Sequence, residues 1–172
     1  MRKKIVTCGA VALLLFFMIL TSATYAAATP ATVPFSRFVN VSGVTDEGFN
    51  FFGSFEISSF FFDGVTILAD GNLSGDIEQV GPIGEQFVSI PVTLIPDPTF
   101  CDLFTVGLGP ADLDLLGVVH LDPVDLVLDV EAVPAGVDPV QLGDLLCSIN
   151  TLLPTELTGV AAILNEVLFL FP

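Results

Sequence analysis

The chain has 172 residues, 52% of them hydrophobic, and carries twenty acidic side chains against four basic ones for a formal charge of −16. That balance excludes nucleic acid as a partner and disfavours anionic lipid headgroups, because both are recognised by clusters of Lys and Arg. Sixteen phenylalanines and the high apolar fraction likewise exclude a disordered acidic tail.

Arg2, Lys3 and Lys4 precede an apolar run from Ile5 to Leu20, and small residues ending in Ala26-Ala27-Ala28 follow it. This order predicts a secretory signal peptide over residues 1–28. Once it is removed, Arg37 stands alone against twenty carboxylates, all of which lie after Thr45, and the formal charge becomes −19. About 144 residues then remain, a size suited to one domain with a single core. The mature part offers no apolar run of about 18 residues, so it is expected to lack a transmembrane segment and to be secreted into the extracellular space.

Residues 29–34 contain Pro30 and Pro34 and read as a short flexible lead-in, with a single β-rich domain over 35–172. From Phe49 the side chains alternate: Phe49, Phe51, Phe55, Ile57 and Phe61 share one parity, and Asn50, Ser54, Glu56 and Ser58 share the other. That is a strand pattern. Phe52, Phe60 and Phe62 interrupt it, either because the second face is also partly covered or because a bulge near Ser58-Ser59 shifts the register. Asp63-Gly64 and Asp70-Gly71-Asn72 read as hairpin turns, and Gly81 to Gly84 as a glycine-rich turn.

Val88, Ile90, Val92 and Leu94 then share a face, with Pro91 on the other parity as in an edge strand. Phe100 to Leu108 reads as a strand closed by Gly109-Pro110. Asp112 and Asp114 alternate with Leu113 and Leu115, and Asp122-Pro123 turns the chain into a strand with Val124, Leu126, Leu128 and Val130 inward. At Asp138-Pro139-Val140-Gln141 the period changes: a capping residue, proline at the first helical position and Gln three residues after the cap start a helix. Pro154 ends it, and Leu157 to Leu168 outline a second helix. The expected fold is mainly β, an antiparallel β-sandwich or partly open barrel with a C-terminal helical hairpin.

Cys8 lies in the leader and is expected to leave with it. Cys101 and Cys147 then form an even pair in an exported chain, where oxidation is favoured, and are expected to form a disulfide. Without a neighbouring His they make a poor metal site, and their spacing is not that of a redox CxxC motif.

The run Cys101-Asp102-Leu103, Leu108-Gly109-Pro110-Ala111-Asp112-Leu113-Asp114-Leu115-Leu116-Gly117, His120-Leu121-Asp122, Leu128-Asp129-Val130 and Leu145-Leu146-Cys147 resembles a family of small exported bacterial proteins with no assigned activity. The resemblance covers roughly the last 75 residues, and it implies export and paired cysteines without supplying a function. Ala135-Gly136-Val137-Asp138-Pro139 departs from it, being poorer in glycine than the corresponding stretch of that family.

His120 is the only histidine and lies two residues from Asp122, but no serine motif accompanies it, so it reads as a strand histidine bonded to a carboxylate or backbone carbonyl. In that setting it is also a candidate sensor of mild acid. Asp112 with Asp114 and Asp125 with Asp129 have the pairing that glycoside hydrolysis uses, yet the chain has no Trp and its one Tyr is Tyr25 of the leader. Asp63, Asp70, Asn72 and Asp76 are oxygen donors for calcium. Without an Asp-x-Asp-x-Asp-Gly loop, the expectation is weak calcium association by charge screening and no bound metal or cofactor. Phe49, Phe51, Phe55 and Phe61 either fill the core or line a cavity for an apolar ligand. The chain is therefore expected to be a secreted, non-catalytic structural or interaction module with an unknown protein partner. An apolar-ligand carrier is the alternative, and a secreted hydrolase ranks third.

Overall fold

In a computed structural model residues 31–171 form nine strands followed by two helices. The signal-peptide reading falls on residues outside those described, as do the first two residues of the lead-in. The strands are β1 (Ala31–Pro34), β2 (Phe38–Thr45), β3 (Asn50–Phe62), β4 (Ile67–Ile77), β5 (Gly81–Pro96), β6 (Leu103–Leu108), β7 (Ala111–Asp114), β8 (Val118–Leu121) and β9 (Val124–Asp129), followed by α1 (Pro139–Leu152) and α2 (Leu157–Leu170). They lie in one sheet in the order β1-β9-β6-β5-β4-β3-β2-β8-β7, curled into a half-barrel. The mainly β, partly open barrel with a helical pair is the expected fold. It departs from a purely antiparallel sheet at one place, the parallel pairing of β1 with β9.

That pairing corrects the flexible lead-in for residues 31–34. Ala31 faces Val124 and Pro34 faces Val127, and Phe35 donates its N–H to the Val127 carbonyl. Pro34 is tolerated because β1 is an edge strand with one neighbour to satisfy. Pro91, by contrast, is not on an edge: β5 lies between β4 and β6. The Pro91 carbonyl accepts from Gly109 at 2.9 Å, so the ring nitrogen points toward β6 as well. It does so just past the last β5–β6 pair, Val92 with Leu108, where no ladder bond is lost.

Two expected turns are strand interior. Asp70-Gly71-Asn72 lies within β4, and Gly81 to Gly84 opens β5, the actual turn being Glu78 to Val80 with Gln79 at φ 66°. Gly71 serves close approach instead of a turn: a Cβ there would collide with the Glu56 carbonyl of β3 and reach within 2.7 Å of the Phe55 ring. Gly53 and Gly75 face each other across β3 and β4, and the Phe51 ring covers both. Missing side chains at these positions let the sheet curl and let two phenylalanine rings lie flat along its inner surface.

The β3–β4 register shifts between Ile57 and Ser59, a bulge that accounts for Phe60 and Phe62, whereas Phe52 precedes it and lies on the outer face at 65% exposure. Phe51, Phe55 and Ile57 are fully buried before it, Phe60 takes over the inward face after it, and Phe61 turns outward at 38% exposure. Helix α2 packs over this point with Val160, Leu164 and Val167 fully buried. Asn165 pins it there: its Oδ1 accepts from the Phe60 N–H, and its Nδ2 donates to the Phe60 and Ala161 carbonyls, at 2.8 to 2.9 Å. Asn165→Ala strands both polar groups of Phe60 beneath the helix. It is expected to cost about 1–3 kcal/mol in urea unfolding, whereas a surface change has almost no effect.

Helix α1 starts where the sequence places it. Asp138 is the N-cap, its carboxylate accepts from the Val140 N–H at 2.9 Å, and Pro139 takes the first turn. Leu142, Leu146 and Ile149 face inward and are fully buried, whereas Val140 is exposed. Cys147 on this helix is bonded to Cys101, in the turn before β6, with Cα atoms 4.7 Å apart. The bond ties α1 to the sheet as expected. No helix among the described residues is long and apolar enough to cross a membrane.

Candidate functional site

The hairpin of β7 and β8 brings together a polar cluster centred on His120. Gly117, at φ 115°, closes its short loop and sets Asp112 directly opposite His120. His120 Nδ1 lies 2.7 Å from Asp112 Oδ1, and Nε2 lies 2.8 Å from Asp46 Oδ1 in the β2–β3 turn. A doubly protonated ring donates to both carboxylates at once, so one imidazolium joins the edge hairpin to the body of the sheet. Asp122, the partner nearest in sequence, instead accepts from the Ser42 hydroxyl at 2.9 Å.

The hydrogen bond to Asp112 raises the His120 pKa above its ordinary 6.5, and the bond to Asp46 adds to the effect. A folded-state pKa above the unfolded one gives stability that is complete below 6.5 and is lost as pH rises through the elevated value. The side chains are 44% (His120), 60% (Asp46) and 75% (Asp112) exposed, so solvent screens the pairs and the effect is confined to the hairpin. As the only histidine, His120 gives one assignable pair of ring C–H resonances in proton NMR. Its midpoint is expected above 6.5 in the native protein and is expected to fall more in Asp112→Asn than in Asp46→Asn; a midpoint at 6.5 would refute the clasp. Both ring nitrogens are engaged by carboxylates, an arrangement that holds a proton and leaves no ring nitrogen directed at a nucleophile.

The four phenylalanines proposed to line a ligand cavity do not share one surface. Phe51 and Phe55 are fully buried against the glycines of β3 and β4, Phe49 just before β3 is half-buried against the same core, and Phe61 faces outward past the bulge. Phe104, Leu73, Ile77 and Leu126 pack into the same core cluster as Phe51 and Phe55.

The oxygen donors considered for calcium are also dispersed. Asp63 Oδ1 accepts from the Val65 and Thr66 N–H groups at 2.8 Å, which holds its pKa below 3.8 and commits it to the β3–β4 turn. Asp70, Asn72 and Asp76 lie within β4, where Asp70 accepts from Ser89 and Asp76 pairs with Phe52 and Pro82. Among the described residues no group of three or more His, Cys, Asp or Glu side chains is placed to hold a metal ion.

The fold and its polar cluster define a mainly β half-barrel carrying a disulfide-anchored helical pair, with a histidine clasp on one edge. The chain matches no protein-family description, no curated protein and no solved structure.

Proposed function

We propose that the protein is a secreted, non-catalytic structural or interaction module. The observation that carries this reading is the division of phenylalanines between the two faces of the sheet. Phe51, Phe55 and Phe104 are consumed by the core, while Phe38 (57% exposed), Phe52 (65%) and Phe87 (67%) project from β2, β3 and β5 toward solvent. Buried rings give a rigid scaffold, and exposed large apolar side chains on a charged surface are what a partner would cover. Export follows from the leader pattern and accords with the disulfide, which persists in oxidising compartments. Calcium in this reading screens surface carboxylates and is not coordinated.

Native mass spectrometry of the protein recovered from its own culture fluid tests the reading. A copurifying protein partner lost in the Phe52→Ser/Phe87→Ser variant is the expected result. A retained lipid would replace the module by the apolar-ligand carrier.

A further inference from the structure

Arg37 is the only Lys or Arg in the described part of a chain with twenty Asp and Glu side chains. Coulomb attraction favours pairing it with one of them, yet among the described residues the only ion pairs are those of His120. The Arg37 Nε is buried and meets no acceptor there. A buried donor left unmatched demands an explanation in any fold.

The surroundings of Arg37 supply one. Its carbonyl accepts from the Ile57 N–H at 2.8 Å, fixing the residue beside the β3 bulge. There it lines a cavity of about 270 Å³ together with Ser58, Ser59, Asn165, Leu168 and Phe169. The Asn165 amide is committed to the Phe60 backbone and Ala161, so the guanidinium and the two serine hydroxyls are the polar groups left to meet a guest. Leu168 is buried, and Phe169, 85% exposed, forms an apolar rim. Bulges recur where a strand must present side chains to a ligand.

A planar guanidinium matches a carboxylate through two parallel N–H donors, and neighbouring hydroxyls can donate to the same oxygens. The apolar wall calls for a tail. The field of the surrounding carboxylates weighs more heavily on a doubly charged anion such as phosphate than on a singly charged one. We propose that this cavity binds a small organic monocarboxylate bearing an apolar tail. The site is independent of the phenylalanines assigned to partner contact and stands or falls separately from that reading.

The test uses 3-phenylpropionate, its neutral amide 3-phenylpropanamide, and inorganic phosphate, each added to the purified full-length protein. The readouts are the thermal midpoint and the NMR resonance of the Arg37 Nε–H. The acid is expected to raise the midpoint and shift the Arg37 signal, with the amide and phosphate at least about tenfold weaker. Arg37→Gln is expected to abolish acid binding. Phe169→Ala changes only an exposed side chain, so it leaves the fold intact and is expected to weaken the acid several-fold, which keeps the test valid should Arg37→Gln fail to fold. Equal affinity for acid and amide, undiminished binding in Arg37→Gln, or an unmoved Arg37 resonance would overturn the proposal.

Discussion

Replacing Cys101 and Cys147 together by alanine is expected to lower the unfolding free energy by about 4 kcal/mol, the loop-entropy value for the 46-residue separation the bond closes. A domain of this size is stable by about 5–15 kcal/mol, so a quarter or more of the total rests on one covalent link. The loss arises chiefly in the unfolded ensemble. Leu142, Leu146 and Ile149 remain fully buried against the core without it, so native helix content should be unchanged while the urea midpoint drops. Reduction of the wild-type protein should give the same shift. A loss below about 1 kcal/mol would mean that the unfolded chain already holds these segments together.

Phe55→Ala is expected to cost about 3–5 kcal/mol, the range for deleting a large aromatic from a packed core. The ring is fully buried and lies against Gly71, which has no side chain with which to refill the space. Phe61→Ala is expected to cost under about 1 kcal/mol, since that ring is already 38% exposed beyond the bulge. The two residues share a parity in sequence, so comparing their denaturation midpoints measures the register shift directly. Similar losses at both positions would place the shift elsewhere.

Much of the architecture was legible because it is written in local periods. The alternation in β9, the Asp138-Pro139 helix start and the even pair of cysteines each carry their own physical signal and agree with the structure. What escaped was set by neighbours distant in sequence. β1 has four residues, too few to show a period, and exists because β9 offers it an edge. Asp70-Gly71-Asn72 has turn composition, but the approach of the Glu56 carbonyl and the Phe55 ring makes Gly71 a strand residue. Pro91 is harmless in a central strand because β6 stops one pair earlier.

The candidate site shows the same division. His120 was expected to bond a carboxylate or a backbone carbonyl, with Asp122 the nearest acid in sequence; its partners are the carboxylates of Asp112 and Asp46. The Leu116-Gly117 pair held the missing signal, since a hairpin centred there sets Asp112 across from His120. Asp46 comes from a turn distant in sequence and left no local trace. Arg37 was visible only as a leftover charge, because counting charges says nothing of where a side chain is buried.

The parallel seating of β1 on β9 also finishes one rim of the sheet. Ala31 finds its partner at Val124, so this contact joins segments far apart in sequence and is reached only by closing a long loop. Without β1, the rim of β9 would present unpaired backbone groups to any extended chain, so four residues guard the half-barrel against strand-to-strand association.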